Sequence, residues 1–331
     1  MTERHPVRLP VCDTDTAPAD LLADVEGWVT SAPLRDLVHR FGGRLPAGTL
    51  DDVLTYLLDF SAVHWDFRGG RERADARRAV FDAETDAAIL DAVHRLGLRG
   101  PTSPRLDRYD HVLVLGGLIR ACLARTWYAA ELLRTGITAP EVTAVGGFRV
   151  MAETERRLAD ALDAPGCHYE TDCLVAGLRQ AFGADTGSDV RAGGDPAEDP
   201  NRAWSVVTFR PPGAPVLRAV AAPSSEPELR RAHTGDSIRY WADDVVGLPR
   251  GAAVLVVTSP TFVPFQHCDA IRHIGLPYGC RVETVGLRTE SLPPRLRVEP
   301  PDPDRYLQEV RSTIWSMRRL ATAAATSTTA S

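Results

Sequence analysis

Asp110-His-Val-Leu-Val-Leu-Gly-Gly-Leu-Ile-Arg-Ala-Cys-Leu-Ala-Arg125 is the stretch whose reading decides the fold. Apolar or neutral residues run unbroken from His111 to Leu115, without the alternation of a half-solvated strand. The segment therefore predicts a strand covered on both faces, as in a parallel sheet under helices. Gly116-Gly117 end it where the backbone turns sharply and can approach a ligand closely. A helical pattern opens next, and its first N–H groups would face that same spot as an anion site. Two glycines after a strand also make an ordinary tight turn, and the full Gly-x-Gly-x-x-Gly fingerprint is absent.

Downstream of this stretch the pattern alternates. Helices are expected at 118–135, 150–163, 169–182, 235–245, 264–274 and 304–320. Strands are expected at Val142–Val145, 204–209, 216–221, Ala252–Thr258 and Arg281–Leu287. Such alternation predicts an α/β fold with a Rossmann-like, doubly wound, mostly parallel sheet. Upstream, residues 17–105 read as an N-terminal helical region, preceded by an irregular arm at 1–16. The α/β domain is expected over 106–320, interrupted by an exposed Gly/Asp/Pro-rich loop at 184–202, and 321–331 read as a disordered tail.

Composition narrows the function classes. The chain has 331 residues and a net charge of −6, which argues against a broad nucleic-acid or anionic-membrane surface. Lysine is absent, so all 38 basic residues are arginine. Schiff-base chemistry, pyridoxal-phosphate anchoring and a phosphate-loop lysine are thereby excluded. The six cysteines show no Cys-x-x-Cys spacing and are expected as reduced thiols. No apolar stretch has the length of a signal peptide core or a membrane span, so a cytoplasmic location is expected.

In an open α/β sheet, ligands bind outside the carboxyl ends of the strands. That rule collects Gly116, Gly117, Arg120 and Arg125 after the first strand, and Gly146, Gly147, Arg149 and Glu153 after the second. Ser224 and Ser225 follow the strand at 216–221, and Ser259 follows the strand at 252–258. Thr234, Asp236 and Ser237 stand at a helix start. Glycines, hydroxyls, arginines and two carboxylates suit a polar, anionic ligand. Plainer readings stand beside these, Thr234 or Asp236 as a helix cap, and Arg120, Arg125 and Glu153 as solvated helix residues. Cys167-His168 with Asp172-Cys173 matches no regular zinc spacing, and no metal is expected. No Gly-x-Ser-x-Gly elbow supports a hydrolase nucleophile.

Several motifs in order resemble the DUF218 family of YdcF-, SanA- and ElyC-like proteins over residues 110–286. They are Leu113-Val-Leu-Gly-Gly117, the helix Arg125-Thr-Trp-Tyr-Ala-Ala-Glu-Leu-Leu-Arg-Thr-Gly136, and Ala144-Val-Gly-Gly147. Ala152-Glu-Thr-Glu155, His233-Thr-Gly-Asp-Ser237 and Val256-Val-Thr-Ser259 continue the series. The resemblance implies a Rossmann-like sheet and a nucleotide- or S-adenosylmethionine-like ligand. The family's His-x-x-Arg would fall on Phe262 and Phe265, its Glu-Asn pair becomes Asp236-Ser237, and the membrane anchor is missing. Those departures imply a divergent member whose ligand is more apolar beside Phe262 and Phe265.

Three classes of function stay open. The first is an enzyme acting on a small polar metabolite, in specialised biosynthesis, with Glu153 and then Asp236 as general acid/base. The second is a non-catalytic nucleotide or S-adenosylmethionine binder. The third is a scaffold using the N-terminal helices. A small-molecule partner is expected, with no nucleic acid and no membrane, and a homo-oligomer is compatible with all three.

Overall fold

A computed structural model describes residues 6–70, 77–184 and 188–329. The first five residues of the expected arm, residues 185–187 of the expected loop and the last two of the expected tail lie outside them. Helices α1 (Pro18–Val29), α2 (Ala32–Arg40), α3 (Leu50–His64) and α4 (Ala83–Arg95) come first. They are followed by β1 (His111–Leu115), α5 (Ile119–Arg134), β2 (Glu141–Gly146), α6 (Glu153–Ala161) and α7 (Glu170–Phe182). Next come β3 (Ser188–Gly193), β4 (Trp204–Phe209), β5 (Val216–Ala221) and α8 (Thr234–Tyr240), which a π-helical turn prolongs to Val246. β6 (Ala253–Thr258), α9 (Val263–Ala270), the short α10 (Leu276–Tyr278), β7 (Arg281–Gly286) and α11 (Pro303–Thr329) complete the order.

These elements form two compact units. The helical unit comprises residues 1–100, 260–272 and 299–331, and the sheet unit comprises 101–259 and 273–298. Residues 260–272 and 299–320, expected within the α/β domain, thus belong with the helices.

In the helical unit α11 packs against α1, α3, α4 and α9. Trp28, Leu34, Leu57, Val93 and Ile314 are buried there, and the Trp28 indole N–H donates to the Leu96 carbonyl at 3.3 Å. Thr49 and Asp82 cap α3 and α4 by accepting from the backbone N–H groups of Asp52 and Thr85. Residues 321–329 continue α11 instead of forming a disordered tail. Alanine is the best helix former, and Leu320, Ala321 and Ala324 are buried, so the small residues there are packing residues.

The sheet unit carries seven strands in the order β3-β4-β5-β2-β1-β6-β7. The β5-β2-β1-β6-β7 pairings are all parallel, and β4 runs antiparallel to both β3 and β5. This is the mostly parallel, Rossmann-like α/β sheet expected from the alternation. Val112, Val114, Val142, Ala144, Leu217, Ala219, Leu255 and Val257 pack with α5 and α7 in one buried cluster. α5 and α7 approach each other unusually closely at Gly177, where a Cβ would stand 2.4 Å from Thr126 Oγ1.

Part of the expected loop at 184–202 is a strand. β3 pairs with β4 from Ser188↔Phe209 to Gly193↔Trp204. Five of its residues are exposed and only Gly193 is partly covered, so no apolar periodicity marks it in the sequence.

Candidate functional site

The carboxyl ends of β1 and β2 open into a small polar cleft in the sheet unit. Leu115, Gly116, Val145, Gly146 and Gly147 form its floor, and Glu170 stands on one wall. Arg231, Ala232, His233, Thr234 and Ser237 form the other. Its roughly 60 Å³ leaves room for a few water-sized groups.

Glu170 opens α7 and reaches the cleft because the chain before it is pinned to the loop after β2. The Glu170 N–H donates to the Arg149 carbonyl at 2.9 Å, and the Met151 N–H donates to the His168 carbonyl at 2.9 Å. The carboxyl group lies so close to Gly116 that a Cβ there would meet Oε1 at 2.3 Å. Burial pushes its pKa up, against the opposing pull of Arg149, Arg231 and Arg125. Arg149 Nε is 3.7 Å from its carboxylate.

The α5 N-terminus, expected as an open anion site, already holds an anion of the protein's own. Glu155 Oε1 accepts from the Ile119 N–H at 3.3 Å, and both its oxygens accept from Arg149, at 2.7 and 3.0 Å. Burial would raise the Glu155 pKa, but these bonds to Arg149 outweigh it and hold the carboxyl below its ordinary value. Arg149 also donates to the Gly117 carbonyl at 3.1 Å. An intramolecular carboxylate therefore takes the place a ligand phosphate would fill.

The strand order reverses at β1, between β2 and β6, which is where such sheets commonly bind ligands. Arg125 is 1% exposed and is directed there: Nη1 donates to the Leu115 carbonyl at 2.8 Å and to Gly116, and Nε donates to Ser259 Oγ at 3.1 Å. Arg125 and Ser259 tie the ends of β1 and β6 together.

The remaining expected residues divide clearly. Gly116, Gly146, Gly147, Thr234 and Ser237 do line the cleft, and Ser237 Oγ donates to the Gly146 carbonyl at 3.0 Å. Glu153 does not line it; it is exposed and paired with Arg156 and Arg157. Asp236 is buried beneath Arg230 and Arg239 and accepts from the His233 N–H at 3.0 Å. Burial works against its charge, but Arg230 and the His233 N–H outweigh it and hold the carboxyl well below its ordinary value. Ser224 and Ser225 accept from Arg230, and Arg120 donates to the Arg295 carbonyl. Phe262 and Phe265 belong to the helical unit, where their rings meet edge-on at 5.9 Å. Asp172 accepts from the His168 and Tyr169 N–H groups at the start of α7, and the Cys173 thiol contacts Met151 Sδ at 3.3 Å.

Glu155 and Glu170 escaped the sequence reading. Residues 153 and 155 are about 200° apart around a helix, so one faces water and the other faces in. The inward one is the acid three places after the residue preceding the helix, as in a capping box. For Glu170 the only sequence signal is Tyr169-Glu-Thr-Asp172, which marks a helix start.

Fold and cleft together define a Rossmann-like α/β protein with a polar pocket at the sheet's carboxyl edge and a separate helical unit. The chain belongs to the Rv3785 family. Residues 12–97 match the family described as Rv3785 N-terminal domain. The chain is 31% identical over 341 aligned residues to the uncharacterized protein Rv3785 of Mycobacterium tuberculosis strain H37Rv, covering 95% of this chain and 94% of that one. The uncharacterized protein Mb3814 of Mycobacterium bovis matches at the same identity and coverage. No solved structure matches the chain. The DUF218 resemblance is thereby corrected: the family that the chain matches is that of Rv3785. The motifs behind the resemblance were short glycine turns, apolar strand ends and helix starts, each weakly specific by itself. The S-adenosylmethionine or nucleotide ligand and the specialised-biosynthesis setting rested on that resemblance and lose their basis with it. Among the described residues no helix is long and apolar enough to cross a membrane.

Proposed function

We propose that the cleft binds a small polar metabolite bearing an anionic group and that Glu170 exchanges a proton with it. One observation carries this reading: a buried carboxyl, with its pKa raised by burial, lines the cleft against Gly116. A carboxylic acid tuned upward toward neutrality is suited to proton transfer, and perturbed groups of this kind cluster at functional sites. Arg231, His233 and Thr234 on the facing wall supply cationic and hydroxyl groups to an anion. Glu153 has neither the burial nor the position for the role. The small volume favours a compact carboxylate or phosphate compound over a large cofactor.

The test is a thermal-shift screen of small carboxylates, phosphates and amino acids, followed by turnover assays on any hit. A ligand at 100 times its dissociation constant adds about 2.7 kcal/mol of stability. The reading expects a hit that Arg231→Ala weakens and whose turnover Glu170→Gln abolishes. A hit bound equally well by both variants would place the site elsewhere. A hit weakened by Arg231→Ala but never turned over would make the protein a binder.

A further inference from the structure

We infer that β3 is a self-association edge, pairing antiparallel with β3 of a second copy of this chain about a two-fold axis at Val190. The strand ends the sheet and, among the described residues, pairs only with β4. Ser188 through Ala192 are exposed, and Val190 is 57% exposed. Its outer edge therefore presents backbone N–H and C=O groups that a further strand can satisfy. Natural edges are commonly guarded by charge, and β3 carries two charges, Asp189 and Arg191. Neither forms an ion pair or side-chain hydrogen bond among the described residues.

Register selects the partner. A continuous antiparallel sheet built across a two-fold axis places residues of the same face opposite each other, so the axis must pass through a residue. Centred on Asp189 or on Arg191, two like charges would face each other. Centred on Val190, Asp189 of each copy faces Arg191 of the other, giving two cross-strand ion pairs flanking a Val190–Val190 contact. The charges that would repel a partner of one sign therefore complement this same strand reversed. A second copy fits the edge on both backbone and charge grounds.

Sedimentation of the full chain over a concentration series, with charge-reversed variants, tests the pairing. The wild type is expected to form a dimer. Asp189→Arg alone and Arg191→Asp alone each put like charges opposite each other and should weaken it by roughly tenfold or more. The double reversal restores the pairs and the dimer. An equimolar mixture of the two single variants should form a mixed dimer, since one then carries two arginines and the other two aspartates. Unchanged circular dichroism and melting would show that each variant is folded, as expected for exposed positions. A wild type that stays monomeric up to its solubility limit, or a dimer indifferent to both reversals, overturns the proposal.

Discussion

Glu155 holds Arg149 by both carboxylate oxygens, at 2.7 and 3.0 Å, and the same carboxylate accepts from the first N–H of α5. The pair is largely buried, and it joins the loop after β2 to the turn after β1. Removing one member strands the other. Glu155→Ala should cost about 3 kcal/mol in urea unfolding, and Glu155→Gln less, because a buried guanidinium loses its counter-charge. A double-mutant cycle with Arg149→Ala should show strong coupling; additive costs would mean that the two act separately.

Glu170 should destabilise the fold it serves. Its folded pKa is raised, so its contribution is fully present below the ordinary glutamate value and is lost as pH rises through the folded value. Glu170→Gln should therefore melt at the same temperature as wild type near pH 4 and about 2–4 °C higher near pH 8. A melting difference that does not vary with pH would mean that the carboxyl ionises normally.

Asp236 has the opposite sign. Its folded pKa is depressed, so its stabilisation is present above the ordinary aspartate value and disappears as pH falls through the folded value. Asp236→Asn should cost about 2 kcal/mol at pH 7, a figure discounted because Arg230 and Arg239 are partly exposed. The gap between variant and wild type should close as the solution is acidified. A gap that is constant with pH would assign the loss to packing instead.

At Gly177 a Cβ would also stand 3.3 Å from the Cys122 carbonyl oxygen, in addition to the Thr126 hydroxyl. Gly177→Ala should cost about 1–3 kcal/mol by forcing α7 off α5. Adding Thr126→Ala should recover part of it, because the nearest clash is with that side chain. No recovery would place the obstruction in the backbone.

The strands legible in the sequence were those buried on both faces, because covering a parallel sheet demands unbroken apolar runs such as Val254–Val257. β3 was illegible for the reverse reason, since a strand exposed on both faces has no apolar side to mark. The last part of α11 was hidden by its alanines and threonines, which carry little hydrophobic contrast although Ala324 is fully buried. At the site, the glycine turns were legible as backbone features. The carboxyl group facing them was not, because it arrives through the antiparallel bridge between Val150 and Tyr169. No local pattern encodes a pairing across 18 residues of intervening chain.

The chain crosses between its two units after residues 100, 259, 272 and 298, so no contiguous stretch holds the whole helical unit. On the ribosome, α1, α3 and α4 emerge well before α11, the helix they pack against. α1, α3 and α4 cannot complete their packing until α11 is made, after the sheet has been synthesised and can fold first. Order of synthesis and order of completion are thus reversed. A fragment cut at residue 100, although it includes the whole stretch that matches the Rv3785 N-terminal domain, would lack the α11 surface against which α1, α3 and α4 pack.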